Sequence, residues 1–558
     1  MLRLGQGIQG REGSKGRNGM RQSRPHSFFL ACLPFLPFLP FCPSAAAQQP
    51  AYDLVIQGGR VFDGSGNPWF AADIAIRGDR IAAIGNLSGA RATRVIDATG
   101  LYVAPGFVDA HSHAGPALAT PELSAAEQLL AQGVTTVFVN PDGGGPVDLA
   151  EQRAALLTDG LGVNVAQLVP HGSVRAAVLG MQDRAPDARE LDRMRQLVRT
   201  GMEAGAFGLS SGPFYAPGSF AGTEELIELA KIAAEFSGAY TSHIRDESDY
   251  TIGVVAAVDE VIRIAREARL PGVVTHIKAL GPRVWGYSLA LVHRIDRARA
   301  DGVEVYADQY PYEASGTSLT AALVPRWAEV GGDSALQRRL RTPAERARIR
   351  TEMLDNLDRR GGASRLQFRR HRADPSIEGR TLADVARERG NEPVDAALDV
   401  IAAGGAGVIS FNMNETDIET LMRQPWTMTA SDGDLVRFGE GVPHPRGNGT
   451  FPRKIRRYVL DKAVVDLPFA IRSMTGLPAS VFRLAGRGSL RPNAAADVVV
   501  FDLERIRDTA TYDRPHQLAE GIVYVIVNGG VAIDQGRTTG AKHGRVLHRQ
   551  AIMGDDRR

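Results

Sequence analysis

The sequence predicts an α/β protein: a (β/α)8 TIM-like barrel joined to a small β-sandwich composed from both ends of the chain. Two observations predict it. Through the middle of the 558 residues, eight apolar strand-like runs alternate with amphipathic segments, the pattern of a parallel sheet closed on itself and wrapped by helices. On either side stand short alternating runs broken by Gly and turn residues, and neither group is long enough to bury both faces of a sheet alone. The 44% apolar content is that of a globular protein, and the length exceeds one ordinary domain.

In chain order, residues 1–47 come first. The basic residues Arg3, Arg11, Lys15, Arg17, Arg21 and Arg24 precede "SFFLACLPFLPFLPFCPSAAAQQ", an apolar run with an Ala-x-Ala site ending at Ala47. This reads as a cleavable secretory signal peptide, which implies a periplasmic or secreted mature protein. Its repeated prolines and short apolar span argue against a membrane-spanning helix. Both cysteines, Cys32 and Cys42, lie in this segment. A mature chain without thiols needs no disulfide and offers a metal only nitrogen and oxygen ligands. Losing the segment takes the formal charge from +2 to −3, which removes the electrostatic case for nucleic acid or a membrane surface as partner.

Residues 48–105 contain "YDLVIQGGRVFDGSG", "ADIAIRGDRIAAIG" and "ATRVIDATGLYVAPG", and residues 481–548 contain "ADVVVFDLERI" and "GIVYVIVNGGVAIDQG". These are the two parts expected to form the sandwich, followed by a short tail at 549–558. Between them, residues 106–480 form the expected barrel. Its strands are "YVAPGFVDAHSH", "GVTTVFVNPDG", "VNVAQLVPHG", "GAFGLSSG", "AYTSHIR", "GVVTHIKAL", "VEVYADQYPY" and "WTMTASDG". Segments such as "TEELIELAKIAAEF" and "IGVVAAVDEVIRIAREA" are apolar at helical spacing and supply the outer layer. A polar, charged stretch from about 313 to 380 interrupts the seventh unit. It is too long for a plain connection and reads as a helical insertion near the active face.

Barrels of this kind carry their chemistry at the C-terminal ends of the strands. Those ends here read His111 and His113, Asp142, His171, His243, His276 and Asp432. Alternate residues of a strand share a face, so the two imidazoles of "HSH" can hold one ion. His243 and His276 join them by barrel register. His171 in "VPHGS" reads better as a hydrogen-bonded core residue. Asp432 in "TASDG" is either an Asp-Gly turn or the carboxylate that moves a proton from a metal-activated water to a leaving group.

Taken in order, "PGFVDAHSH", "GLSSGPFYAPGSFAGTEELIELA", "SHIRDES", "THIKALGPRVWGYS", "DQYPY", "SDG" with "HPRGNGTFPRKIRRYV", and "MTGLPASVFRLAGRGSLRPNAAADVVVFD" resemble blocks of the amidohydrolase superfamily. Within it they resemble the N-acyl-D-amino-acid deacylases, or D-aminoacylases. The resemblance covers nearly the whole mature chain. It implies a metal-dependent hydrolase with one or two Zn2+ ions, cleaving the amide of an N-acyl-D-amino acid by metal-activated water. It also implies that His111 and His113 serve one metal position, His243 and His276 another, and that Asp432 is the general base and acid. Tyr215, Lys278 and Tyr310 take the places of that family's contacts to the substrate carboxylate. Arg446 in "HPRGNG" and Arg245 in "HIRDE" are further anion contacts or structural ion pairs, with nothing in sequence to separate the two.

The chain departs from that pattern at "FVNPDGGGP". The family carries a zinc-binding cysteine after the second strand, and aligning "GVTTV" brings Asp142 to its place. Asp142 is therefore a carboxylate ligand, able to bridge two ions, or the Asp of a turn. A harder ligand weakens the preference for zinc over Mn2+ or a similar ion. The rival readings are a cyclic amidase of the dihydroorotase and hydantoinase kind, a dipeptidase, or a periplasmic ligand-binding protein. The cyclic amidases use a bridging lysine for which no candidate stands here, and a binding protein has no need of convergent histidines.

Overall fold

A computed structural model describes residues 51–549; the expected signal peptide at 1–47 lies outside the described residues, as does the tail from 550. Eight short parallel strands form the barrel wall: Phe107–Asp109, Val134–Val139, Asn164–Gln167 continued by Val169–Pro170, Gly208–Ser211, Ala239–Ser242, Gly272–Val274, Val305–Gln309 and Thr427–Thr429. They are called strands one to eight below. Adjacent strands pair in parallel through the series. The ring closes between strands eight and one, where Ser112 bridges Gly433. There the Asp432 amide donates to the His111 carbonyl and the His113 amide to the Gly433 carbonyl, both at 2.9 Å.

These strands are buried on both faces, which is why they read as continuous apolar runs rather than alternations. Val108, Phe138, Ala166, Phe207, Ala239, Val273 and Met428, with Tyr306 partly buried against them, fill the ring together with Leu477, Val481 and Phe482. The outward residues Leu209, Tyr240, Val274 and Val305 pack against the helices Thr223–Glu235, Val254–Ala268 and Ser288–Ala300. Helix Ala188–Glu203 shows how local sequence sets such an element. Asp187 and Glu190 form a reciprocal capping box, and Met194, Val198 and Met202 repeat at four-residue spacing on its buried face.

Both chain ends contribute to one nine-stranded sheet. The seam is Tyr102–Pro105 paired antiparallel with Val498–Phe501. Val498 and Val500 face a core with Leu54, Ile56, Ile74, Ile76 and Ile96, the interior of the sandwich. Val499 and Phe501, on the opposite face by the two-residue period, join a core with the barrel's Phe107, Val134 and Val163. Barrel and sandwich therefore share buried apolar surface rather than meeting at a solvated linker.

After strand seven the chain makes a long excursion. It is more than helical: Ser315–Ser318, Leu366–Arg370 and Gly407–Ser410 form an antiparallel three-stranded sheet, covered by helices that include Pro343–Arg359 and Pro393–Ala402. Leu319, Met353, Phe368, Leu382 and Val408 give it a core of its own. The stretch expected to end near 380 runs on to Ser410, because the strand Gly407–Ser410 pairs with both of the others and completes the sheet.

Candidate metal centre

The strand ends bring His111, His113, Asp142, His243, His276 and Asp432 to one mouth of the barrel. Three of them stand on left-handed backbone, with φ of +56° at Asp142, +36° at His276 and +48° at Asp432. Asp tolerates that region better than most residues, while His276 is held there by its surroundings: its amide donates to Asp308 Oδ1 at 2.6 Å. The glycines after Asp142 let the loop lie against the ends of strands three and four. A Cβ on Gly143 would stand 3.0 Å from the amide nitrogens of both Gly172 and Gly212, at a φ of +71°.

Asp142 sits among all four imidazoles. Its Oδ1 lies 3.4 Å from His111 Nε2 and 3.6 Å from His276 Nε2, and its Oδ2 lies 3.5 Å from His113 Nε2 and 3.7 Å from His243 Nδ1. Asp432 Oδ1 completes the ring at 3.1 Å from His113 Nε2 and 3.5 Å from His111 Nε2. About Asp142, His111 and His276 share one carboxylate oxygen and His113 and His243 the other, while Asp432 Oδ1 holds His111 with His113 and Glu247 lies beside both His243 and His276. A zinc ion with ligands at 2.0–2.2 Å in a tetrahedron separates the ligand atoms by roughly 3.4 Å. The separations of His111 Nε2 from Asp142 Oδ1 at 3.4 Å and from Asp432 Oδ1 at 3.5 Å, and of His276 Nε2 from Asp142 Oδ1 at 3.6 Å, are close to that spacing.

The buried atoms His111 Nε2, Asp142 Oδ1, His243 Nδ1 and His243 Nε2 have no hydrogen-bond partner. Orphaned polar atoms at this depth are costly, and a shared cation satisfies them together. In the protein alone, the cluster is held by charge. Burial works against the charged form of His113, but its hydrogen bonds to Asp142 and Asp432 outweigh burial and push its pKa up to about 10. Burial likewise opposes ionisation of Asp142 and Asp432. The neighbouring His111 in one case, and Arg446 in the other, hold the carboxyl well below the usual range.

A cavity of about 650 Å³ opens above this cluster, walled by the loop after strand two, by Phe214 to Gly218, and by Ser315 to Ser318 of the excursion. Each expected substrate contact lines it. Tyr215 stacks edge-on against His243 at 4.6 Å between ring centres, and its hydroxyl lies 3.3 Å from Thr317 Oγ1. Lys278 Nζ is bound to Glu247 and lies 2.7 Å from His276 Nδ1. Arg446 Nη1 is 2.7 Å from Asp432 Oδ2, and its guanidinium covers the face of Tyr310 at 4.6 Å.

Glu247 is an acid of the site that sequence reasoning passed over, as it did Asp434 on the cavity wall. Glu247 lies 3.6 Å from His243 Nε2 and 3.1 Å from His276 Nδ1 and forms a second group of possible metal ligands with them. Its signal was present in "SHIRDES", four residues beyond the histidine, but that block followed a strand and offered no helical spacing to place it. His171 turns away from the cluster, its Nε2 2.9 Å from Glu225 Oε1, as a core residue does. Arg245 is resolved as structural by its ion pair with Glu260 at 2.8 Å.

The profile of the "Amidohydrolase family" matches residues 94–533. Among known proteins, the chain is 37% identical over 528 residues to an N-acyl-D-glutamate deacylase of Alcaligenes xylosoxydans xylosoxydans, covering 90% of this chain and 98% of the relative. It is 36% identical over 538 residues to a D-aminoacylase of the same organism, covering 91% and 100%. Among solved structures it superposes on the N-acyl-D-glutamate deacylase of Bordetella bronchiseptica, complexed with zinc and a phosphonate that mimics the tetrahedral intermediate. The TM-score is 0.76 and the identity 36%, with 89% of this chain and 99% of the other covered. The chain belongs to the amidohydrolase family.

Proposed function

We propose that the protein is a metal-dependent deacylase that hydrolyses the acyl–nitrogen bond of N-acyl-D-amino acids, releasing a carboxylate and the free D-amino acid. The observation that carries this reading is Asp142, set between four imidazoles with Asp432 on their rim, in a chain whose relatives of near-equal length are deacylases. His111, His113, Asp142, His243 and His276 would hold one or two zinc ions, or manganese in their place. When bound, such an ion supplies Lewis acidity toward the amide carbonyl and acidifies a water.

The chain's own groups do the rest. Asp432, kept ionised by Arg446, accepts a proton and returns it to the departing amine nitrogen. Tyr215, Tyr310, Lys278 and Arg446 orient the substrate carboxylate. Lys278 and Arg446 are already engaged by Glu247 and Asp432, so the carboxylate shares them rather than finding them free. The expected leader at 1–47 supports a periplasmic or secreted location, and among the described residues no helix is long and apolar enough to cross a membrane.

Amine release from paired D and L N-acetyl amino acids, by protein reconstituted with zinc and separately with manganese, tests the reading. Release from the D series alone is expected. Hydrolysis confined to cyclic amides or dipeptides overturns it. Asp432→Asn is expected to lower kcat by about 10²–10⁴-fold per bound metal, with metal content measured on the same sample because Asp432 stands among the possible ligands.

A further inference from the structure

The wall that the excursion lends to the cavity carries a cation that the metal centre does not use. Arg360, at the end of helix Pro343–Arg359, lines the cavity and is 1% exposed. Its Nε donates to the Ala322 carbonyl at 3.2 Å and its Nη1 to Ser410 Oγ at 3.0 Å. Among the described residues Arg360 forms no ion pair, and its Nη2 makes no hydrogen bond. The other basic side chains of the cavity are each matched by an acid: Lys278 by Glu247, Arg369 by Asp434 and Arg446 by Asp432. A buried guanidinium without a counter-charge is costly, and a planar fork of donors is suited to a carboxylate.

The corner around it is rich in donors. Ser315 faces Ser410 across the sheet and donates its hydroxyl to Asn412 Oδ1 at 3.1 Å, while Asn412 Nδ2 is buried without an acceptor. We propose that Arg360 is a specificity residue that receives the side-chain carboxylate of an acidic substrate, an N-acyl-D-glutamate or N-acyl-D-aspartate. This rests on the deacylase reading. The α-carboxylate is only two bonds from the scissile nitrogen and belongs near Lys278 and Arg446, which touch His276 and Asp432. Arg360 instead bonds only to Ala322 and Ser410 of the excursion and touches none of the residues of the metal cluster, which leaves it for a second anion of the substrate.

The test measures kcat/KM of the metal-loaded enzyme on N-acetyl-D-glutamate, -D-aspartate, -D-glutamine and -D-leucine, and on N-succinyl-D-leucine. The expected result for the unaltered protein is a preference for the two acidic side chains. Arg360→Met should lose about 100-fold on those two, the scale of removing one partner of a buried charge pair, with glutamine and leucine changing little. Arg360→Lys should recover part of the loss. Equal rates on glutamate and glutamine by the unaltered protein overturn the proposal without any variant. So does an equal loss on every substrate, which would place the α-carboxylate at Arg360, or a preference for the succinyl over the acetyl group, which would place the acyl arm there. Failure to hydrolyse any D substrate defeats the deacylase reading itself.

Discussion

Asp142 faces two imidazoles with each of its oxygens, and a neutral amide in its place keeps the shape while removing the charge that balances a cation. Asp142→Asn is therefore expected to lower metal affinity at least tenfold, read as bound metal per chain after dialysis, and unchanged occupancy would remove Asp142 from the ligand set. Asp142→Cys should restore binding with a sharper preference for zinc over manganese, since a thiolate is the softer ligand. This residue was legible in sequence because a departure from an otherwise continuous family pattern fell on a group able to do the missing chemistry. A different residue shows what burial alone does. Lys454 is bonded only to the hydroxyls of Thr429 and Ser473, and burial pulls its ammonium down to about 7 from an ordinary 10.5. Between those values the unfolded chain binds the extra proton, so this lysine makes stability rise with pH across that window. Lys454→Met should remove that slope in denaturation curves taken from pH 7 to 10, leaving Thr429 and Ser473 bonded to each other at 3.0 Å.

At the scale of elements, the loop after strand two decides whether its carboxylate arrives at the right place. Gly143→Ala puts a Cβ 3.0 Å from two backbone nitrogens and forces a left-handed φ on a residue that disfavours it. The expected outcome is a loss of about 1–3 kcal/mol in chemical denaturation together with reduced metal occupancy, because the loop must lift and carry Asp142 with it. A variant with wild-type stability and occupancy would show that the loop does not depend on this close approach. The strands and their terminal residues were readable because burial on both faces writes a simple apolar run that ends in a polar group. Glu247 and the end of the excursion were not. Glu247 reaches His276 from a loop, where no period relates sequence to direction. The strand Gly407–Ser410 finds partners some ninety and forty residues earlier, and such antiparallel pairing leaves no local mark.

Across the whole molecule, the barrel closes through a few backbone contacts between strands eight and one, at the place where His111, His113 and Asp432 stand. Donors for the metal centre come from strands one, two, five, six and eight, so a bound ion ties together segments that are far apart in sequence. Phe107 and Val134 of that barrel share a core with Val499 and Phe501 of the sandwich, which couples the sandwich to the same closure. A ligand that binds only the folded state stabilises it by RT ln(1 + [L]/Kd), about 4 kcal/mol when free metal stands a thousandfold above Kd. Chelation is accordingly expected to lower Tm by several degrees and to do so in one transition, since the outer face of the sandwich at the seam is buried against the barrel. Differential scanning calorimetry of metal-loaded and chelated protein would measure it. An unchanged Tm on loss of metal would mean that the ring of imidazoles and carboxylates is held by its own ion pairs, with the raised His113 and the depressed Asp432 already paying the cost of assembly.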